Sequence, residues 1–197
     1  MPSAFFYMSM IPIFTIFSAI LSVKTALYLD GESVRTKVAA LGDDGGWVFL
    51  SLALAQLTVT AVAMFTIDTR EAAGVDRPDQ FAFETEKGVP VRMVREGAGG
   101  TFNRAQRALF NTQETLPVFL AHLLLASTLA PRMVFFFTVI TAIGRIWFAA
   151  GYSASVAGRQ AGFAVATVFG QNSLLGFVML IGVGTTIAPG ILTTVGL

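Results

Sequence analysis

Three polar residues, Arg107, Asn111 and Glu114, interrupt an otherwise apolar run at positions i, i+4 and i+7. Residues at this spacing share one face of a helix, so a guanidinium, an amide and a carboxylate can act on one ligand. Arg107 and Glu114 can partly neutralise each other, with Asn111 hydrogen-bonding between them. Ionisable groups inside a membrane span are expensive and usually face the bundle interior or a wet cavity, which makes this face a candidate binding site.

A second arginine-bearing face follows in the next apolar block. Arg145, Phe148 and Tyr152 stand at i, i+3 and i+7, and Arg159 follows at the helix end within GYSASVAGRQ. The simplest common target for two such faces is one anionic, polar ligand. Arg145 could instead brace the bundle by pairing with Glu114.

The chemistry open to these groups is limited by composition. The chain has no cysteine, so it cannot form a disulfide framework, a thiolate metal site or a cysteine nucleophile of its own. Any thiol chemistry must therefore use a thiol carried by a substrate. We assign no metal site, and a net charge of +1 without a basic run gives no indication of a nucleic-acid partner.

The elements that must position these residues are membrane helices. Of the 197 residues, 54% are hydrophobic and 13% charged, against about 25% charged in a typical soluble domain, and the mean hydropathy is +0.70. The apolar residues form five blocks, each long enough for a span of roughly 20 residues. The blocks cover 4–23, 47–67, 107–130, 133–152 and 161–195. The sequence thus predicts an all-α integral membrane helical bundle.

The orientation of the bundle follows from the Lys and Arg residues of the loops. The segment 68–107 holds seven of them, and Arg159 falls on the same side of the membrane. The seven are Arg70, Arg77, Lys87, Arg92, Arg95, Arg104 and Arg107. The positive-inside bias places this side, and both arginine-bearing faces, in the cytosol. Residues 68–100 read as a polar surface loop.

Both polar faces resemble those of a known family. The segments FNRAQRALFNTQETLPVFLAHLLLA and GRIWFAAGYSASVAGR are similar to MAPEG, the membrane-associated proteins of eicosanoid and glutathione metabolism, and most similar to the branch of microsomal glutathione transferases and cysteinyl-leukotriene synthase. The R-x-x-x-N-x-x-E pattern matches at Arg107, Asn111 and Glu114. The second pattern, R-x-x-(aromatic)-x-x-G-Y…R, runs from Arg145 to Arg159.

The resemblance implies a homotrimer that binds glutathione at subunit interfaces on the cytosolic side of an internal membrane such as the endoplasmic reticulum. It implies that Arg107, Asn111 and Glu114 hold the charged and amide groups of glutathione, and that Tyr152 and Arg145 line the same site. Arg159 then lies beside the glutathione sulfur as the catalytic residue. The activated thiolate would attack a lipophilic electrophile, or reduce a lipid hydroperoxide, that arrives from the membrane lipid.

The sequence departs from the family pattern at several positions. Phe148 stands where glutathione-handling relatives typically have tyrosine, and Thr115 replaces the tyrosine of the leukotriene-forming member. Leu109 replaces a histidine or glutamine, and Gln160 replaces the serine of the prostaglandin E-forming member. These differences leave the reaction of this chain open.

The N-terminal half contains one block more than the four spans of the family. In one assignment, block 47–67 is the family's first helix, so that 1–46 is an added N-terminal transmembrane helix and loop, and 47–197 is the four-helix domain. In the other, block 4–23 is the first helix, and 47–67 is an insertion. We prefer the first, because it keeps the loop topology simple.

The sequence is compatible with three classes of function. The preferred one is a membrane-bound glutathione transferase, and its main alternative is a non-catalytic lipid-binding or scaffold protein of the same fold. A transporter or channel is disfavoured, because the sequence shows no paired inverted repeat of broken helices.

Overall fold

The computed structural model describes residues 4–85, 90–188 and 190–196. Lys87, one of the residues used to predict the orientation, lies outside the described residues. The chain divides into two compact units between Gly46 and Trp47. Each unit is described by itself.

The first helix, α1, spans Ala4–Ala73. Its backbone leaves helical geometry at Gly31 (φ 29°) and Gly42 (φ 59°), and a positive φ of this kind is available to glycine at little steric cost. Within the first unit, the helix continues past Lys24, where the first apolar block ends, and most of the large apolar side chains from Ile13 to Leu41 are exposed. The predicted block 4–23 therefore covers only part of the helix that contains it.

The polar segment between α1 and the next helix is shorter than the predicted loop 68–100. Helix α1 continues to Ala73, and α2 spans Gly97–Ser127. Arg70 stabilises the end of α1, because its guanidinium lies 4.7 Å from the centre of the Phe102 ring and donates to the carbonyls of Asp76 and Asp79. Between the helices, β1 (Phe83–Glu84) pairs antiparallel with β2 (Arg92–Met93) in a short hairpin.

The remaining helices follow α2 with short connections. Helix α3 spans Pro131–Ala154, α4 spans Arg159–Phe163, a π-helical segment spans Ala164–Gln171, and α5 spans Asn172–Thr186. A last short helix, α6, spans Gly190–Thr194. Proline at the first position of α3 suits a helix start, since the amide hydrogen that it lacks would have no partner there.

Four helical stretches in the described ranges are long and apolar enough to cross a membrane. They are Ile13–Gly42, Asp44–Ala73, Pro131–Ala154 and Arg159–Thr186. Helix α2 has 31 residues, which exceeds the roughly 20 that a span needs, but its polar residues keep it out of this set. The predicted class is confirmed: the protein is an all-α integral membrane bundle.

Two clusters of buried apolar residues hold the second unit together. In one, Ala55 of α1 packs with Phe119 and Leu123 of α2, Val134 of α3 and Leu174 of α5. The other contains Val62 of α1, Ala108 of α2, and Phe148 and Ala149 of α3. Because both clusters draw on several helices, the polar residues of α2 and α3 lie on elements that are packed on more than one side.

Helix α3 and the π-helical segment approach each other very closely. A Cβ on Gly144 would overlap the backbone of Ala166, and a Cβ on Gly170 would overlap Thr141. Small residues permit such close packing in membranes, where helix association depends on van der Waals contact and hydrogen bonds. Arg145, next to Gly144, and Gln171, next to Gly170, are therefore held at fixed positions.

Candidate functional site

The predicted pair on α2 forms as an exposed ion pair. Arg107 Nη1 lies 3.0 Å from Glu114 Oε1, two turns along the helix, and the side chains are 52% and 56% exposed. An ion pair in this setting contributes little to stability, typically about 0–1 kcal/mol. Its two charged groups are therefore available to a ligand that carries charges of both signs.

Asn111 does not bridge this pair, which is where the structure differs from the expectation. Its Oδ1 accepts a hydrogen bond of 2.6 Å from Arg145 Nη1 across the interface between α2 and α3. Arg145 Nη2 donates to Thr115 Oγ1 at 2.8 Å and to Gln171 Oε1 at 2.9 Å. The alternative partner considered for Arg145, Glu114, is paired with Arg107 instead.

Arg145 is only 3% exposed, and its three side-chain acceptors, Asn111, Thr115 and Gln171, are neutral. A buried charge is costly unless it is hydrogen-bonded, so these contacts are needed to keep a guanidinium inside the bundle. Arg145 also lines a partly open cavity of about 20 Å³, which is enough for a single water molecule and too small for a tripeptide. Arg145 thus joins α2, α3 and the π-helical segment from within.

Tyr152 and Arg159 come together at the end of α3. The Arg159 guanidinium carbon lies 5.3 Å from the centre of the Tyr152 ring, within the range of a cation–π interaction. The Tyr152 ring also lies 5.6 Å from the ring of Phe148. The resemblance placed Tyr152 and Arg159 in one site, and in the structure they are in contact.

The turn that carries Arg159 depends on two glycines. A Cβ on Gly151 would overlap the carbonyl oxygen of Gly158, and a Cβ on Gly158 would overlap the carbonyl oxygen of Gly151. The amide of Gly158 also donates to Ser155 Oγ at 3.0 Å. This close return of the chain is what brings Arg159 back over Tyr152.

The site residues line two open cavities in the second unit. Arg107 and Tyr152 line a cavity of about 1060 Å³ next to the hairpin. Asn111 and Arg159 line another of about 370 Å³, together with Phe148, Gln160 and Phe163. The two cavities are neighbours. Tyr152 of the first contacts Arg159 of the second, and Asn111 of the second lies one turn after Arg107 of the first on α2.

The four site arginines differ in what they bind. Arg145 has polar side-chain acceptors, Arg107 has Glu114, and Arg104, which the sequence analysis did not select, donates to backbone carbonyls. Within the described part of the chain, no hydrogen-bond acceptor or carboxylate binds Arg159; its contact is the face of Tyr152. The Arg159 guanidinium can therefore take an anion at little cost.

Sequence reasoning missed several residues that shape the site. Thr115 was noted only as the replacement of a tyrosine, and Arg104 only as a loop charge. Thr115 lies four residues after Asn111, and this spacing was the available signal that both could bind Arg145. Apart from the presence of the two glycines, the sequence contained no signal for the close approach of Gly151 and Gly158.

No group of three or more His, Asp and Glu residues that could hold a metal occurs in the described ranges. The sequence model of the MAPEG family matches residues 47–184, which include α2, α3 and every residue of the site. This chain belongs to the MAPEG family.

Proposed function

We propose that the protein is a membrane-bound glutathione transferase that activates the glutathione thiol for attack on lipophilic electrophiles. The family generally acts in glutathione-related transferase and synthase reactions. The observation that carries the proposal for this chain is Arg159: it lines a cavity with Asn111 and is stacked on Tyr152, with its hydrogen-bond donors unused by the described residues.

Arg159 is suited to the activation step. A thiol with a pKa near 8.5 is mostly protonated at neutral pH, and the thiolate is the nucleophile. A guanidinium remains charged at any relevant pH, so it favours the thiolate over the thiol and lets the proton leave to solvent. No protein base is required for this step.

The other residues of the site hold the peptide. Arg107 and Glu114 present one charge of each sign, which suits the carboxylates and the ammonium group of glutathione. Asn111 offers its amide group to the peptide, and Arg145 acts on the ligand through Asn111, whose side chain it fixes by a 2.6 Å hydrogen bond. Tyr152 helps to position Arg159 through the contact between its ring and the guanidinium.

The second substrate approaches from the apolar wall formed by Phe148 and Phe163. With an epoxide, the sulfur forms a bond to carbon, the carbon–oxygen bond breaks, and the alkoxide takes a proton from water. With a lipid hydroperoxide, the sulfur attacks the outer oxygen and the oxygen–oxygen bond breaks. The alcohol leaves, and the resulting sulfenic acid reacts with a second glutathione to give the disulfide and water.

The proposal includes the assembly and the topology of the chain. We place the site at subunit interfaces of a homotrimer, facing the cytosol from the endoplasmic reticulum or another internal membrane. Residues 4–46 form an added N-terminal transmembrane segment, which is helical rather than helix and loop as the sequence suggested, and 47–197 form the four-helix family domain. The start of the family match at residue 47 and the candidate span Ile13–Gly42 support this division.

The test is the ultraviolet absorbance of the thiolate when purified, detergent-solubilised protein is titrated with glutathione. Wild type should give a saturable signal. Arg159→Ala should lose the signal but still bind glutathione by calorimetry, because Arg107, Asn111 and Glu114 remain. Arg132→Gln is the matched control: Arg132 is an exposed arginine at the opposite end of α3, and its loss should change neither measurement.

The alternative function predicts a different result. Phe148 in place of a hydroxyl-bearing residue gives the cavity an apolar wall that also suits an acyl chain. A lipid-binding scaffold would bind lipid, give no thiolate signal and show no glutathione binding by calorimetry. Absence of both the thiolate signal and glutathione binding in wild type would overturn the transferase proposal.

A further inference from the structure

Arg104 makes an unusual set of contacts for a side chain next to the site. Its Nε donates to the carbonyl of Tyr152 at 3.0 Å, and its Nη2 donates to the carbonyl of Ser153 at 3.0 Å. Its Nη1 donates to the carbonyl of Arg95, in the segment before α2, at 2.8 Å. One guanidinium thus connects α2, the end of α3 and the hairpin segment.

The contacts with α3 fall where a cation is most useful. Helix α3 ends at Ala154, and the last four carbonyls of a helix have no partner within it. A positive charge at a helix C-terminus is also favourable to the helix dipole. Arg104 therefore satisfies backbone groups that would otherwise need water, and it fixes the last turn of α3 against α2.

This last turn carries the groups that the proposed chemistry needs. Tyr152 lies in it, and Arg159, which stacks on Tyr152, follows after the short turn from Ser155 to Gly158. Arg107 lies three residues after Arg104 on α2. A shift of the end of α3 would thus separate Tyr152 and Arg159 from the residues on α2 that hold the peptide.

From these contacts we infer that Arg104 is a positioning residue, which holds Tyr152 and Arg159 in register with Arg107 and Asn111. The inference rests on the proposed glutathione site. Arg104 touches neither the sulfur nor the electrophile in this scheme; it acts through the backbone of α3. Its loss should therefore lower kcat more than it raises the KM for glutathione, because the residues on α2 that bind the peptide stay in place.

The experiment compares wild type, Arg104→Gln and Arg104→Lys, with Arg132→Gln as the control for loss of a distant charge. Misplacement of a catalytic group by about 1 Å can reduce the rate about a hundredfold, and we expect a kcat loss of that order for Arg104→Gln with a weaker thiolate signal. Arg104→Lys keeps a donor and the charge but lacks the planar fork, so it should restore part of the signal.

Hydrogen exchange of the backbone amides tests the same inference without glutathione. Arg104→Gln should increase exchange in residues 152–160. Asn103→Ala should increase it in the hairpin instead, because the Asn103 side chain hydrogen-bonds the backbone of Ala82 and Val94 and, among the described residues, has no hydrogen bond to α3. Comparison of Asn103→Ala with Arg104→Gln therefore separates the attachment of α2 to the hairpin from its attachment to α3.

The outcomes distinguish the inference from the function on which it rests. A normal wild-type thiolate signal that Arg104→Gln leaves unchanged, with unchanged exchange in 152–160, would overturn the positioning role and leave the transferase standing. Absence of the signal in wild type would overturn both. If Arg104→Gln does not fold, Arg104→Lys decides: a full thiolate signal in that variant contradicts the inference.

Discussion

The substitution Gly151→Ala tests whether the turn between α3 and α4 positions Arg159. Alanine stabilises a helix by about 1 kcal/mol relative to glycine, but the new Cβ would overlap the carbonyl oxygen of Gly158. The obstacle is backbone, so no side-chain rotation can relieve it. Overpacking with backbone shifts costs about 1–3 kcal/mol, and we expect a net loss of stability in that range.

The assay is thermal unfolding in detergent, combined with the thiolate titration. For a chain of this size, each kcal/mol shifts the midpoint by about 2–4 °C, so Gly151→Ala should melt roughly 2–12 °C lower. It should also give a weaker thiolate signal, because the turn that carries Arg159 must move. Gly176→Ala is the matched control: a Cβ there meets nothing within 4 Å, so the midpoint should stay or rise.

Two results would refute this reasoning. Equal stability of Gly151→Ala and wild type would mean that the two segments separate at no cost. A full thiolate signal in a destabilised Gly151→Ala protein would mean that the position of Arg159 does not depend on this turn.

Further predictions concern the polar contacts of the site. Gln171→Leu removes an acceptor from the buried Arg145 and should reduce stability by about 1.5–3 kcal/mol. The control Asn172→Leu, at an exposed position, should have little effect. Thermal unfolding midpoints compare the two variants, and equal shifts would contradict a stabilising role for the hydrogen bond between Arg145 and Gln171. Arg107→Ala should change stability by less than about 1 kcal/mol but weaken glutathione binding about 10- to 100-fold by calorimetry, and unchanged affinity would remove Arg107 from the site. Glu114→Ala should behave in the same way.

The sequence was sufficient for the class of fold and for the ion pair on α2. Long uncharged blocks leave few alternatives to membrane helices, and the i, i+4 and i+7 spacing placed Arg107, Asn111 and Glu114 on one face. The contact between Arg107 and Glu114 lies within one helix, so local geometry alone determined it.

Contacts between helices could not be predicted in the same way. Periodicity shows which residues share a face, but it does not show what lies opposite that face. Asn111 was expected to bridge its neighbours on α2, and it binds Arg145 on α3 instead. The end of α1 was also misplaced: the helix continues to Ala73, and near its end Arg70 contacts the ring of Phe102 and the carbonyls of Asp76 and Asp79. Phe102 is distant in sequence, so periodicity gave no indication of that contact.

The π-helical segment Ala164–Gln171 affects how this chain should be aligned with its relatives. Each hydrogen bond in such a segment spans one residue more than in an α-helix, and one residue corresponds to about 100° of rotation about the helix axis. A relative with one residue fewer here would present a different side of α5 to Arg145. A one-residue gap between 164 and 171 would therefore mark chains in which another residue must serve as the acceptor that Gln171 provides here.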